Sequence, residues 1–286
     1  MKIGVSTYCF WALIKTGSYS IFDAIEYAKK TGYDSIDFTE LRTPSGNSEA
    51  EYAAEIRAAC EKAKIEVCSY TVGADFFAEK SGDMTNQVSK LKSCVDTAKI
   101  LGASMMRHDI CWDLAAHAKN RPWQDLVAAV AEPVREIAEY AAGKGIKTMT
   151  ENHGVILQTS THLEALVRAV NHPNYGLLVD IGNFLCADEP GVKAIPKLMP
   201  YTFHIHAKDF LFKSGTEPLP DDSWFCTKER NYLRGTILGH GVVSVAQCCE
   251  IIKKLGYDGC VTLEYEGLEE PLDAISRGYK FLKARL

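Results

Sequence analysis

Four polar residues end apolar segments in the second half of the chain, and their types suit metal chemistry. They are Glu151 in IKTMTE, Asp180 in YGLLVDI, His206 in TFHIHAK and Glu264 in GCVTLEY. A buried carboxylate is costly unless it is paired or binds a cation, and crowded carboxylates raise one another's pKa. One divalent cation would remove that conflict. Three oxygen ligands and one nitrogen fit Mn²⁺, which we expect first, or Mg²⁺ and Co²⁺, with Zn²⁺ as a further option.

Each of these residues taken alone has an ordinary structural explanation. A glutamate at the end of a strand is often a solvated rim residue or a helix cap, and His206 in the run HIH could simply pack or donate a hydrogen bond. Asp180, two residues before Gly182, could belong to a turn. The shared metal site is therefore predicted from the joint occurrence of the four residues in successive segments.

Eight segments rich in β-forming residues alternate with helical segments along the chain. They are 2–8, 35–41, 66–72, 104–110, 146–151, 175–181, 202–208 and 259–265. Eight such units in 286 residues predict an α/β fold, a closed (β/α)8 TIM barrel, in a single domain that spans 1–286. An open doubly wound sheet is the structural alternative, but no GxGxxG follows the first strand. In a barrel the carboxyl ends of the strands carry the chemistry, so the four residues would meet at its mouth.

Capping pairs and prolines mark the helices between these strands. Ser48 with Glu51, Thr161 with Glu164, and Ser244 with Gln247 have the spacing that opens a helix. Pro133 is expected to kink the longest helix.

One connection is far longer than the others. Residues 209–243 follow the seventh strand, on the functional face of a barrel, and include Trp224, Phe225 and Tyr232. We expect this loop to act as a lid over the site rather than as a flexible decoration. Its last part, LGHGVV at 238–243, either binds phosphate or makes a tight turn, and the turn is favoured because no P-loop lysine or hydroxyl is nearby.

The composition narrows the class of protein. A net charge of −5 and a pI near 5.9 give no electrostatic attraction toward nucleic acid or anionic membranes. The start MKIGVSTYCFW lacks the pattern of a signal peptide, no run is long enough to cross a bilayer, and the ten cysteines contain no CxxC. We therefore expect a cytoplasmic protein with free thiols and without nucleic-acid or membrane partners, and we leave homo-oligomerisation open.

The chain resembles a known superfamily in three motifs and in the glutamate that ends its fifth strand. VDIGNF at 179–184, HIHAKD at 204–209 and LEYEG at 263–267 are similar to the sugar phosphate isomerase/epimerase superfamily with the xylose-isomerase-like barrel. The resemblance implies that Glu151, Asp180, His206 and Glu264 bind a single divalent metal. It also implies that Glu151 and Glu264 exchange protons with a ketose or related keto-sugar through an enediolate.

Two departures from the ketose 3-epimerases of this superfamily keep a second reaction open. Asn183 stands where those enzymes have a histidine, and the segment AKDFLFK lacks their arginine. HIHAKD is closer to the inosose dehydratase pattern, in which the same enolate loses a β-hydroxyl. A lyase that acts on an oxidised glycoside would use the same first step.

Seven residues near the strand ends are candidate substrate contacts: Trp11, Glu40, Arg107, His108, His153, Asn183 and Lys208. Lys208, oriented by Asp209, could stabilise negative charge on a substrate oxygen. Because side chains alternate along a strand, either Arg107 or His108 must face away from the mouth.

Two functions of other classes complete the hypotheses. Endonuclease IV-type metallonucleases share the barrel, but they use three metals and a basic DNA-binding surface, which the acidic balance does not supply. A non-catalytic sugar-binding or partner subunit is the second, and it would not require both glutamates.

Overall fold

The computed structural model describes residues 1–114, 119–154 and 156–286. Within them the chain forms eleven strands: β1 (Lys2–Ser6), β2 (Ser35–Thr39), β3 (Glu66–Val72), β4 (Met105–His108), β5 (Lys147–Glu151), β6 (Tyr175–Asp180), β7 (Thr202–Ala207), β8 (Asp209–Lys213), β9 (Phe225–Cys226), β10 (Tyr232–Thr236) and β11 (Cys260–Leu263). Eight of these strands form a closed parallel barrel in the order β1-β11-β7-β6-β5-β4-β3-β2. The predicted TIM barrel is confirmed, because all eight predicted segments supply its strands.

The helices cover the outside of the barrel. In the described ranges they are α1 (Trp11–Lys15), α2 (Ile21–Thr31), α3 (Glu49–Ala63), α4 (Thr85–Leu101), α5 (Trp123–Lys144), α6 (Ser160–Val170), α7 (Gly191–Leu198), α8 (Val245–Lys254) and α9 (Pro271–Lys283). Helix α6 shows how they attach. Its buried residues Leu163, Leu166, Val167 and Val170 have the i, i+3, i+4, i+7 spacing of a single apolar stripe, which packs toward the core.

The helix starts agree with the predicted capping in part. Ser48 and Glu51 form the reciprocal capping box. The predicted capping pair Thr161–Glu164 is wrong. The N-cap of α6 is Thr159, two residues earlier, and its hydroxyl accepts from the N–H of His162. Ser244 precedes α8 without a side-chain capping bond.

Helix α5 runs through Pro133 as one element from Trp123 to Lys144. All ten cysteines are free. Among the described residues, no helix is both long and apolar enough to span a bilayer.

The long connection after β7 contains a small sheet of its own. Strands β8, β10 and β9 pair antiparallel in that order, with Leu233 opposite both Phe212 and Phe225. Asp209 fastens the end of this segment, because its buried carboxylate accepts from the backbone N–H groups of Gly239, Gly241 and Val243 at 2.8–3.0 Å. These N–H groups are thus used internally, and LGHGVV is a turn held by a carboxylate rather than a phosphate cradle.

Replacing Asp209 with alanine is expected to destabilise the protein by about 3 kcal/mol, because three backbone N–H groups would lose their hydrogen bonds to a buried carboxylate. This corresponds to a fall in Tm of roughly 6–12 °C. Differential scanning calorimetry of Asp209→Ala measures the shift. The matched control is Asp221→Ala in the same connection, where an exposed carboxylate accepts from Ser223. Equal Tm values for the two variants would show that the turn does not depend on Asp209.

Candidate active site

The four predicted metal ligands meet at the barrel mouth. Glu151 ends β5, Asp180 ends β6, His206 lies at the end of β7 and Glu264 directly follows β11, and these four strands are neighbours in the barrel. One potential ligand atom from each residue lies within 4.8 Å of the others. The strand order therefore brings together four residues that are spread over more than one hundred positions of the sequence, from Glu151 to Glu264.

Glu151 is fixed by two donors. Its Oε2 accepts from Nη2 of Arg107 at 2.7 Å, and its Oε1 accepts from Nδ2 of Asn183 at 3.0 Å. Arg107 also contacts Oδ1 of Asp109 at 2.9 Å. Both oxygens of the buried carboxylate thus have a partner, which defines the orientation of Glu151 at the mouth.

Glu264 lies against Lys208. The Lys208 ammonium is 2.5 Å from Oε2 of Glu264, and Nδ1 of His206 lies 3.6 Å from the same oxygen. Burial alone would raise the pKa of Glu264, but Lys208 and His206 hold it well below its usual range. Glu264 is therefore an ionised carboxylate that can accept a proton.

Asp180 has one satisfied oxygen and one free one. Its Oδ1 accepts from the backbone N–H groups of Gly182 at 2.7 Å and Asn183 at 2.9 Å. Burial raises the pKa of Asp180 to about 6, with Glu151 and Glu264 adding to the rise and Lys208 opposing it. Within the described residues, Oδ2 of Asp180 and Nδ1 of His206 are buried without a hydrogen-bond partner.

Those two free atoms belong to the ligand set, so the residues present fit a cation. An unpartnered buried acceptor is costly, and a bound cation would satisfy both atoms at once. The Lys208 ammonium, 3.5 Å from Oδ2 of Asp180, already supplies one positive charge to the same carboxylates. The donor set of carboxylates and imidazole suits a divalent ion.

Asp37 supports His206 from inside the barrel and is absent from the sequence-based prediction. Its Oδ2 lies 2.9 Å from Nε2 of His206, and Thr71 donates to its Oδ1 at 3.1 Å. With Nε2 bonded to Asp37, Nδ1 of His206 is the nitrogen that faces the other ligands. A carboxylate in the apolar strand SIDFT is the sequence signal that could have identified it.

A cavity of about 470 Å³ opens over these residues. Five of the predicted contacts line it together with the two glutamates: Trp11, Glu40, Arg107, His153 and Lys208. The lining also includes Tyr8, Arg42, Trp112 and Glu266, which were not predicted. The guanidinium of Arg42 lies 3.7 Å from the centre of the Trp11 ring, so this wall combines an aromatic face with a positive charge.

The remaining candidates are placed differently. Asn183 is buried and reaches Glu151 rather than the open cavity at Trp11. His108 is a correction to the predicted contacts, because it points away from the mouth and packs between Phe76 and Tyr175. Burial there lowers the pKa of His108 to about 4. Arg107 is therefore the member of the pair that faces the site.

A larger cavity, of about 700 Å³, lies on the outside of the barrel between α4 and α5. Phe77, Lys92, Arg121 and Pro133 are among its lining residues. The outer cavity is the larger of the two. The mouth cavity, however, is lined by Glu151, Glu264 and Lys208, and the pKa values of Glu264 and Lys208 are shifted, as is typical of proton-transfer sites. We place the active site at the mouth for that chemical reason.

The comparison with protein families identifies the class. A family described as xylose isomerase-like TIM barrel matches residues 25–285, and the chain belongs to that family. An inosose dehydratase from Glaesserella parasuis serovar 5 is 25% identical over 236 residues, which cover 77% of this chain and 76% of the relative. Several relatives are inosose dehydratases, which supports an enzyme.

Solved structures show the same fold. D-Psicose 3-epimerase, solved in the presence of D-fructose, has a TM-score of 0.75 and 16% identity, covering 100% of this chain and 99% of its own. The IOLI protein with a bound zinc atom has a TM-score of 0.73 and 17% identity, covering 99% of this chain and 97% of its own. At these identities the likeness concerns the barrel alone.

Proposed function

We propose that the protein is a divalent-metal-dependent sugar isomerase or epimerase that acts on a ketose or related keto-sugar, with Glu151 and Glu264 as its acid/base pair. The observation that carries this proposal is the convergence of four ligand atoms within 4.8 Å at the barrel mouth. Membership of the xylose isomerase-like family supports it. We propose Mn²⁺ as the ion, held by Glu151, Asp180, His206 and Glu264.

A bound divalent cation would polarise the substrate carbonyl and favour loss of the neighbouring C–H proton. The protein residues then divide the remaining work. Glu264, which is held as a carboxylate, accepts the proton. Glu151, at the end of β5, returns a proton to the substrate. Lys208 and Arg107 place positive charge where negative charge develops on substrate oxygens.

A dehydratase or lyase of inosose or keto-glycoside type is the second candidate, and Lys208 favours it. The ammonium lies 2.5 Å from Glu264, so a proton acceptor and a proton donor stand side by side. In this reaction the C–H proton passes to Glu264, and the hydroxyl on the next carbon leaves with a proton from Lys208 as water. The 25% identity with an inosose dehydratase is consistent with this order of events.

Proton exchange in D₂O tests the proposal and separates the two reactions. We expect the Mn²⁺-loaded protein to incorporate deuterium next to the carbonyl of at least one substrate in a panel of ketoses and an inosose, as measured by ¹H NMR. An epimerase keeps every hydroxyl, whereas a dehydratase loses water and forms a C=C bond with ultraviolet absorbance.

Metal content, measured by elemental analysis beside an Asp180→Ala control, accompanies the assay. About one ion per chain, lost in the control, is the expected result. A protein that retains its ion but exchanges no proton with any member of the panel would contradict the enzyme proposal and favour a sugar-binding subunit.

A further inference from the structure

A second cavity, of about 440 Å³, adjoins the first at the barrel mouth. The two cavities share Trp112, His153, Lys208 and Glu266 in their walls. The first cavity, of about 470 Å³, already falls in the range of about 300–1,000 Å³ that is typical of ligand pockets. The first cavity therefore suffices for a free sugar, and the second is additional space directly beside it.

The second cavity begins at residues that touch both proposed catalytic groups. Asn183 lines it and donates to Glu151, and Lys208 lines it and contacts Glu264. A ligand group in this cavity would consequently be attached close to the reacting carbons rather than at a distant end of the substrate.

Two large apolar side chains face this space. Trp112 is 60% exposed and Phe225 is 40% exposed, and both line the cavity together with Cys186 and Cys226. Exposed aromatic rings beside a polar catalytic cavity indicate a binding surface for a flat or apolar group.

Both rings are held in place from behind. Phe225 packs edge-on against the buried Phe210 at 5.6 Å, and Trp112 packs against His153 at 4.7 Å between ring centres. Gly154, with φ of +78°, allows the Trp112 segment to approach, because a Cβ there would lie 2.6 Å from the carbonyl oxygen of Trp112. The aromatic surfaces are thus fixed before a ligand binds.

The wall formed by residues 225–228 is also tied to the barrel. Asp188 accepts from Oγ1 of Thr227 at 2.9 Å, from the N–H of Glu229 at 2.7 Å and from Nδ2 of Asn231 at 3.0 Å. The N–H of Lys228 donates to the carbonyl oxygen of Cys186 at 3.1 Å. A wall ordered in this way loses little conformational entropy when a ligand binds against it.

From these contacts we infer that the substrate is a keto-sugar carrying an aromatic or similarly sized apolar substituent, which binds in the second cavity against Trp112 and Phe225. The statement that the substrate is a keto-sugar, the sugar half of this inference, rests on the proposed function, which places the sugar at Glu151 and Glu264. The substituent half rests on the second cavity alone.

Binding of two unreactive glycosides tests the substituent half. Phenyl and methyl β-D-glucoside have no ketone, so their Kd values for the Mn²⁺-loaded protein, measured by isothermal titration calorimetry, report binding without turnover. We expect phenyl glucoside to bind at least roughly tenfold more tightly, because the ring would bury apolar surface. Equal Kd values, or no binding of either glucoside, would overturn the inference.

Substitutions of single residues test whether the preference for phenyl glucoside arises in the second cavity. Phe225→Ala should reduce the preference for phenyl glucoside to about twofold or less and leave the Kd of methyl glucoside unchanged. The matched control is Phe212→Ala, since Phe212 is 44% exposed on β8 of the same sheet and is not a lining residue of either cavity; it should keep the tenfold preference.

Trp112→Ala is the second test variant and decides the matter if Phe225→Ala fails to fold. A preference for phenyl glucoside that persists in the folded variants would overturn the inference. The deuterium-exchange assay is independent of these Kd values. Absence of exchange beside a clear phenyl preference would refute the proposed function and keep the second site.

Discussion

Replacing Glu264 with glutamine is expected to lower the rate of proton exchange on the substrate by about 10²–10⁴-fold, the contribution typical of a positioned acid/base group. The amide of glutamine keeps the size of the side chain and can still accept from Lys208, but it cannot take up a proton. Proton exchange in D₂O, followed by ¹H NMR at saturating Mn²⁺, measures the loss.

Glu264 is also a proposed metal ligand, so metal binding must be separated from proton transfer. The Mn²⁺ content of Glu264→Gln is measured in the same samples, and rates are compared only where the ion is bound. Glu250→Gln, on the exposed face of α8, makes the same chemical change outside the site and should exchange at the parent rate. Exchange by metal-loaded Glu264→Gln at the parent rate would refute its role as the base.

The barrel could be predicted from the sequence because its signal is local and repeated. Alternation of β-rich and helical segments is visible in every unit, and the right-handed crossover rule leaves few topologies. Strand bounds differ by a few residues; the segment 104–110 forms a strand only from Met105 to His108. The bounds depend on interstrand hydrogen bonds, which the sequence does not display.

The sheet within 209–243 was not predicted, although FLF and YLRGTIL are rich in β-forming residues. Its pairing depends on contacts between separated segments, such as Leu233 with Phe212 and Phe225. The carboxylate of Asp209 completes the turn through N–H groups about thirty residues away. Short strands whose partners lie across a long polar stretch carry little local signal, and the segment therefore resembled a loop. Its role as a lid stays a prediction.

The candidate ligands could be predicted because the carboxyl ends of parallel strands converge on one face. The contact of Asp37 with His206 could not be predicted, because β2 and β7 are not neighbours in the barrel and their side chains meet only across its interior. For Arg107 and His108, the alternation of side chains established that one faces away. Only the packing of His108 against Phe76 and Tyr175 identifies which.

Asp37→Asn is expected to weaken Mn²⁺ binding by about 10–100-fold, although Asp37 is not itself among the four proposed ligands. Carboxylates that hold a ligating histidine typically have an effect of this size, because they fix its tautomer and raise its basicity. Here Oδ2 of Asp37 holds Nε2 of His206, which leaves Nδ1 toward Glu264. Mn²⁺ affinity is measured by competition with a fluorescent chelator, and ¹⁵N NMR reports the tautomer of His206 directly.

The pH dependence of that loss distinguishes a tautomer effect from general damage. Burial lowers the pKa of His206, but Glu264 and Asp37 together hold it well above its usual range, so a proton competes with the metal in the parent protein. Asp37→Asn weakens the binding of the proton and of the metal to His206. The Mn²⁺ affinities of the parent and the variant should therefore differ most at high pH, where no proton competes, and should converge as the pH falls. Asp34→Asn, which changes the acceptor of the Ile3 N–H just before β2, is the matched control. If Asp37→Asn and Asp34→Asn both bind Mn²⁺ within twofold of the parent at every pH, Asp37 does not position His206 for the metal.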